Sequence, residues 1–224
     1  MKEYQVCRRC VMDTVGDPNI RFDNHGNCNY CTEMLNILQS ISFDCKEVQL
    51  EKQFDVIKRN CKDLKYDCLV GVSGGLDSSY IIYLGYKYGL RMLGIHIDDG
   101  LDTEVAKKNI KKLCKAANVD LISVIPDSEQ YRDLTLSFFK ACVPNLAIPQ
   151  DNLILAALND ASKKYGIRYI LHGSNFAMEG ILQTGNSYTA ADDKHIRAIQ
   201  KQFSGKPINK LRLLTTFENS VLKR

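Results

Sequence analysis

Three features are missing from this sequence, and each absence narrows what the protein can be. No run of about 18 apolar residues occurs in its 224 residues, so no transmembrane helix is predicted. The segment Met1–Tyr4 has no apolar core, so no secretory signal is predicted. The net charge is only +4 and the lysines are spread out, which gives little support for a nucleic-acid partner. We therefore expect a cytoplasmic protein with neither a membrane nor a nucleic acid as its partner.

Four of the nine cysteines form two close pairs, Cys7-x-x-Cys10 and Cys28-x-x-Cys31. An odd cysteine count with C-x-x-C pairs fits a metal site in a reducing compartment better than a disulfide framework. Four thiolates complete a tetrahedral zinc site with no open position, which is typical of a structural ion. An iron–sulfur cluster and two disulfides are the alternatives. His25 lies near the second pair and is interpreted as a turn residue.

Two familiar nucleotide-binding patterns are absent, namely G-x-x-x-x-G-K-[ST] and G-x-G-x-x-G. In their place, the segment 73–79 reads Ser-Gly-Gly-Leu-Asp-Ser-Ser, between the apolar run 68–72 and a helix-like run from Tyr80. A strand, a glycine turn and a helix N-terminus form an anion site, because backbone N–H groups and the helix dipole point at the ligand. An ordinary Ser/Gly-rich turn is the alternative interpretation.

Strands and helices alternate along the rest of the chain, which predicts an α/β fold with a doubly wound parallel sheet. Strands are predicted at 68–72, 91–97, 119–125 and 168–171. Helices are predicted at 33–39, 46–60, 78–88, 104–117, 131–142 and 152–165.

Three polar loops, 73–79, 98–102 and 172–175, each follow a predicted strand. Ligands bind at the carboxyl ends of the strands in such sheets, so we expect the three loops to form one site. The alternative, non-functional interpretations are an Asp-Gly turn at 99–100 and an ordinary strand-to-helix connection at 172–175.

The segment Ser-Gly-Gly-x-Asp-Ser-Ser resembles the PP-loop of the ATP pyrophosphatase superfamily, which includes GMP, NAD and asparagine synthetases and tRNA-thiolating enzymes. This resemblance implies a fold of the HUP, adenine nucleotide α-hydrolase-like type. It also implies cleavage of ATP to AMP and pyrophosphate, with adenylation of a substrate oxygen. In these enzymes the end of the second strand lines the adenine pocket, largely through backbone groups.

The chain resembles the N-acetyl sugar amidotransferases in its two C-x-x-C pairs, in segment 73–79 and in the segments 137–144, 148–151, 169–175 and 194–199. This match extends over essentially the whole chain. The resemblance implies that ATP activates the carbonyl oxygen of an N-acetyl group and that ammonia displaces AMP. The product would be an acetamidino sugar of surface polysaccharide, lipopolysaccharide or flagellar glycans. Because Met1 is followed by Lys2, we expect no N-terminal cysteine nucleophile. The resemblance implies that ammonia comes from a separate glutaminase partner.

The resemblance assigns site residues. Ser73 and Asp77 are the expected catalytic residues, and Asp77 is also the expected Mg²⁺ ligand. The alternative interpretation of Asp77 is an aspartate that only caps the first turn of a helix. The residues expected to bind ATP and pyrophosphate are Ser73, Gly74, Gly75, Leu76, Asp77, Ser78, Ser79, Ile97, Asp98, Asp99, Gly173 and Asn175. The expected cofactors are ATP, Mg²⁺ and a structural Zn²⁺.

The expected domains are a zinc-ribbon-like cysteine segment with its following helix, 1–42, and a PP-loop domain, 43–224. The family usually extends well beyond this length, so a C-terminally truncated chain is implied. The alternatives to amidination of a sugar are a tRNA-thiolating PP-loop enzyme and a non-catalytic adenine-nucleotide-binding module.

Overall fold

A computed structural model of the chain describes residues 3–40, 47–174, 180–181 and 189–222. The chain divides into two compact units. The first comprises Met1–Val48 with Ser174–Ser187, and the second comprises Gln49–Gly173 with Tyr188–Arg224. The predicted domain boundary at 42–43 lies outside the described residues. No helix in the described ranges has both the length and the apolar character needed to cross a bilayer.

The first unit is built around cysteine. Two isolated antiparallel bridges, Val6 with Asp13 and Phe22 with Cys28, precede helix α1 (Asn29–Ser40). Its buried apolar cluster consists of Cys7, Ile20, Cys28, Tyr30 and Cys31. Three of those five members are cysteines, so this cluster offers little apolar surface to drive folding by itself.

A four-stranded parallel sheet forms the centre of the second unit. Its strands are β1 (Cys68–Gly71), β2 (Met92–Ile97), β3 (Asp120–Val124) and β4 (Ile170–Leu171). Their order is β3-β2-β1-β4, and every neighbouring pair is parallel. The chain therefore winds outward from β1 to β3 and then returns to the other side of β1, which places the reversal of strand order between β1 and β4.

The helices that follow α1 belong wholly or mainly to the second unit. They are α2 (Glu47–Asn60), α3 (Leu76–Lys87), α4 (Glu104–Ala116), α5 (Ser128–Lys140), α6 (Ile148–Tyr165), α7 (Asp193–Phe203) and α8 (Thr216–Leu222).

Helices cover both faces of the sheet, because alternate strand residues point to opposite sides. Cys68 and Val70 of β1 pack in a cluster with residues of α2, α3 and α4. Leu69 of β1 and Leu93 of β2 point the other way, into a cluster with Leu158 of α6. The predicted α/β fold with a doubly wound parallel sheet is confirmed.

Local chemistry sets the helix boundaries. Thr103 accepts a hydrogen bond from the N–H of Ala106 at 3.2 Å and starts α4, and the carboxylate of Asp127 starts α5 in the same way. Pro149 lies in the first turn of α6, where a missing N–H costs nothing. Gly166, with φ of 68°, ends that helix in the left-handed conformation.

Helices α7 and α8 have no counterpart in the sequence-based prediction, and the chain between them is anchored by Asn152 of α6. The fully buried Asn152 amide donates to the carbonyl of Ala190 at 2.6 Å and to that of Leu214 at 3.1 Å. Its oxygen accepts from the N–H of Leu214 at 2.8 Å. One side chain thus satisfies two buried backbone groups of Leu214 and the half-buried carbonyl of Ala190.

Replacing Asn152 with leucine removes the partner of these three backbone groups, two of which are buried. We predict that Asn152→Leu lowers the free energy of unfolding by about 2–5 kcal/mol, measured by chemical denaturation. The control Lys164→Ala changes an exposed residue of the same helix and is expected to stay within about 0.5 kcal/mol of the parent chain. Equal unfolding midpoints for both variants would contradict the anchoring role.

Candidate active site

The loop after β1 brings backbone N–H groups to the start of α3. Gly74 has φ of +76°, a conformation that favours glycine, and extended Gly75 is the N-cap residue of α3. Gly75 makes no side-chain capping bond, so the N-terminus of α3 has no side-chain acceptor from its cap. Leu76 and Asp77 are exposed at this end, and the helix is twelve residues long. The loop therefore presents the N–H groups and positive dipole end that bind an anion.

The serine hydroxyls of this segment hold the loop in shape. The hydroxyls of Ser73 and Ser78 lie 3.0 Å apart, and the N–H of Gly75 donates to Ser73 Oγ at 3.3 Å. Ser79 Oγ donates to the carbonyl of Gly75 at 2.7 Å. These bonds fix the turn that leads into the first turn of α3.

Two glycines allow other segments to approach this loop closely. A Cβ on Gly74 would lie 3.1 Å from Ile110 Cγ1 and 3.3 Å from the Ala106 carbonyl oxygen of α4. A Cβ on Gly173 would lie 3.0 Å from the carbonyl of Asp77 and 3.1 Å from the nitrogen of Ser78. The loops after β1 and β4 thus meet backbone to backbone at the strand-order reversal.

The end of β2 supplies the third part of the crevice. The N–H of Asp98 donates to the carbonyl of Val124 at 2.9 Å, so Asp98 extends the ladder toward β3. The alternation of a parallel ladder then points the backbone of Ile97 toward the side of β1, beyond the last residue of that strand. No backbone partner for Ile97 on that side occurs among the described residues. Its N–H and C=O remain available there for a planar hydrogen-bonding ligand, as expected for an adenine ring.

The carboxylates after β2 are paired with protein groups. Lys107 Nζ lies 3.2 Å from Asp98 Oδ1 and holds the pKa of Asp98 below its usual value. Asp99 Oδ2 accepts hydrogen bonds from the Tyr131 hydroxyl and from Gln150 Nε2, each at 2.9 Å. Burial and the neighbouring Asp99 raise the pKa of Tyr131 well above its usual value. Tyr131 therefore stays a neutral donor, and Asp99 joins β2 to α5 and α6.

A buried histidine, which the sequence analysis did not single out, supports the same loop. His96 Nδ1 lies 2.9 Å from the carbonyl of Val72, so this nitrogen must donate. Its Nε2 lies 3.2 Å from Asp102 Oδ2. The imidazole thus links the end of β1 to the loop after β2.

Comparisons with known proteins were made for the whole chain. No protein family and no curated protein matches it. Among solved structures, it is similar to an NH3-dependent NAD synthetase from Campylobacter jejuni in complex with nitrate, at 19% identity and a TM-score of 0.45, over 68% of this chain and 70% of that one. It is also similar to an NMN synthetase from Francisella tularensis, at 11% identity and a TM-score of 0.42, over 80% and 93%. These comparisons assign no family.

The predicted site residues of the second unit collect at one edge of the sheet. Segment 73–79, the residues Ile97 to Asp99, and Gly173 all lie at the carboxyl ends of β1, β2 and β4. Asn175 lies outside the described residues. The sequence analysis did not assign Gln150 and Asp151 to the site, although both belong to a segment that carried the family resemblance.

The first unit contains a separate candidate metal centre. The four sulfur atoms of Cys7, Cys10, Cys28 and Cys31 lie within 4.8 Å of one another. Cys7 Sγ lies 3.8 Å from Cys31 Sγ, and Cys10 Sγ lies 3.7 Å from Cys28 Sγ. A disulfide requires about 2.05 Å. A tetrahedron with Zn–S bonds of about 2.3 Å has sulfur–sulfur edges of about 3.8 Å, so these thiols could hold zinc.

Protonation at this centre also favours a metal. Burial acts to raise the pKa of Cys7, but backbone N–H groups of Cys10, Cys28 and Arg9 outweigh burial and lower that pKa to about 6. Thiolate is the form that binds metal. Burial raises the pKa of Cys31 well above its usual value, and metal binding would release that proton. Ligands on different irons of a cluster are spread apart by bridging sulfides, so the compact sulfur set favours one ion.

We predict that the purified protein contains one zinc ion per chain, measured by elemental analysis. Cys31→Ser should lose the ion and expose segment 3–40 to proteolysis, because metal binding provides much of the folding free energy of such a unit. Cys142→Ser removes an exposed cysteine outside the cluster and should keep the ion. Stoichiometric iron, or no metal, would contradict the prediction.

Proposed function

We propose that this chain is an ATP-dependent amidotransferase that adenylates the N-acetyl group of a sugar and uses ammonia to form an acetamidino sugar. The observation that carries the nucleotide part is the N-terminus of α3, which has no side-chain cap and lies at the strand-order reversal beside Gly173. The identity of the acceptor as an N-acetyl sugar depends on the sequence resemblance. The product would belong to surface polysaccharide, lipopolysaccharide or flagellar glycan biosynthesis.

The crevice offers separate contacts for the parts of ATP. Backbone N–H groups between Gly74 and Asp77 would hold the phosphates, and the backbone of Ile97 would meet the adenine. Asp77 is an exposed carboxylate in the first turn of α3, and a hard oxygen donor of this kind suits Mg²⁺. Bound there, Mg²⁺ would neutralise charge on the departing pyrophosphate.

The reaction exchanges a poor leaving group for a good one. The carbonyl oxygen of the N-acetyl group attacks the α-phosphorus of ATP, the bond to the β-phosphate breaks, and pyrophosphate leaves. Ammonia then attacks the activated carbon and AMP leaves with the former carbonyl oxygen. The protein acts by positioning and by stabilising charge, with Ser73 holding the turn that aims the donors.

The activity is tested with MgATP, ammonium and a panel of N-acetylated nucleotide sugars and N-acetylated nonulosonic acids. AMP and pyrophosphate should form in equal amounts with at least one acceptor. We expect Asp77→Asn to lower AMP formation by about a hundredfold or more. The control Asp63→Asn changes an exposed carboxylate that precedes β1, at the opposite edge of the sheet, and should behave as the parent chain.

Formation of ADP and phosphate would contradict the proposal. Tight tRNA binding with a steep salt dependence would favour a thiolating enzyme instead. ATP binding without turnover on the whole panel would favour a nucleotide-binding module.

The proposal includes a separate glutaminase subunit as the source of ammonia. Glutamine alone should therefore give no AMP with the isolated chain, whereas ammonium should. Activity with glutamine alone would contradict a separate partner.

The close approach of Gly173 to α3 gives a second test. We predict that Gly173→Ala weakens ATP binding by about tenfold or more, because the added Cβ displaces the backbone of Asp77 and misplaced groups lose much of their effect. Gly71→Ala is the matched control, since a Cβ there meets its nearest atom at 3.9 Å, an ordinary contact. Calorimetric titration of both variants with ATP measures the difference, and equal affinities would contradict the predicted geometry.

A further inference from the structure

Asp151 lies in the first turn of α6, over the end of β1. Ile154, three residues further along the helix, lies 3.9 Å from the position of a Cβ on Gly71, the last residue of β1. Residues three apart share one face of a helix. The chain continues from Gly71 into the anion-binding loop, so Asp151 occupies the helix face directed to the crevice at its carboxyl edge.

The residues near Asp151 lie in α5, in α6 itself and in the loop after β4. Gln150, the preceding residue, donates to Asp99 in the loop after β2. Tyr131 donates to the same carboxylate, and the charge of Asp151 contributes to the raised pKa of Tyr131. The charge of His172, in the loop after β4, acts on Asp151 in turn. Asp151 is therefore near the loop after β4 and directly follows Gln150, which holds the loop after β2.

Asp151 differs from the paired carboxylates around it. Asp98 pairs with Lys107, and Asp99 accepts from Tyr131 and Gln150. Among the described residues, Asp151 has no side-chain hydrogen bond and no salt bridge. Burial raises its pKa above the usual value, and His172 offsets part of that rise. A partly buried carboxyl group that no structural contact uses is suited to proton transfer.

We propose that Asp151 is the catalytic base that removes a proton from the attacking nitrogen in the second half-reaction. This inference rests on the proposed function. The position of Asp151 supports the role, since it lies on the helix face over the end of β1, near His172 and beside the Gln150–Asp99 hydrogen bond.

The proton balance of the step is as follows. The nitrogen lone pair of ammonia forms a bond to the adenylated carbon, and the attached nitrogen becomes positively charged. One of its protons moves to the Asp151 carboxylate. The carbon–oxygen bond to AMP then breaks, its electron pair leaves with the phosphate-bound oxygen, and a nitrogen lone pair closes the amidinium. Asp151 returns the proton to solvent when the products leave.

The test separates the two half-reactions in the full chain. Exchange of labelled pyrophosphate into ATP, with acceptor but without ammonia, reports adenylation. Formation of AMP with ammonium reports the complete reaction. We expect Asp151→Asn to keep the exchange rate within a factor of about three and to lower the ammonia-dependent rate by about 10²-fold or more. Asp160→Asn, on the same helix but paired with Arg212, should leave both rates unchanged.

A nucleophile that depends less on proton removal by the protein distinguishes a catalytic base from a structural residue. After hydroxylamine attacks, the attached nitrogen is more acidic than that of ammonia, so hydroxylamine should restore much of the second step in Asp151→Asn. Equal loss of both rates, an unchanged ammonia-dependent rate, or no rescue by hydroxylamine would overturn the base role. Absence of AMP formation by the parent chain would instead overturn the proposed function itself.

Discussion

The close packing of Gly173 against the backbone of Asp77 is the contact on which the crevice depends. It joins the loop after β4 to the first turn of α3, where the strand order reverses. Any side chain at position 173 would separate the two segments. The same packing brings the backbone of two segments together at the helix N-terminus, the end of a helix that binds phosphate groups.

The polar side chains around the crevice divide into two groups. The hydroxyls of Ser73, Ser78 and Ser79 bond within the loop, and Asp98 and Asp99 are engaged by Lys107, Tyr131 and Gln150. These contacts fix the loops after β1 and β2, which reduces the cost of ordering them in the reaction. In our proposals, the groups that act on the ligand are the first N–H groups of α3, the backbone of Ile97, and the carboxylates of Asp77 and Asp151.

Much of the fold was predictable because its signals are local. Every predicted strand and helix from 33 to 171 has a counterpart in the structure, and the boundaries differ by a few residues at most positions. Helix α6 begins at Ile148 rather than at 152, because Pro149 is accepted in its first turn. Helices α7 and α8 were missed. The tether that fixes the chain between them is a hydrogen-bond network around Asn152, and no periodicity in the sequence reveals it.

The candidate site was also predictable only in part, because local sequence signals reveal some of its residues and not others. The glycine-rich segment 73–79 and the cysteine pairs can be recognised from the spacing of their residues. His96 and Asp151 cannot, because their environment comes from residues distant in the chain, such as Val72 and His172. The family resemblance of segment 148–151 could have indicated Asp151 as a site residue. Only the packing of α6 over β1, however, places Asp151 in the crevice.

The most direct test of the central claim is a crystal structure of the chain with Mg²⁺ and a non-hydrolysable analogue, α,β-methylene-ATP. We expect the triphosphate to accept hydrogen bonds from backbone N–H groups between Gly74 and Asp77, with the metal on Asp77 and the adenine beside Ile97. A triphosphate bound away from the N-terminus of α3 would contradict the account.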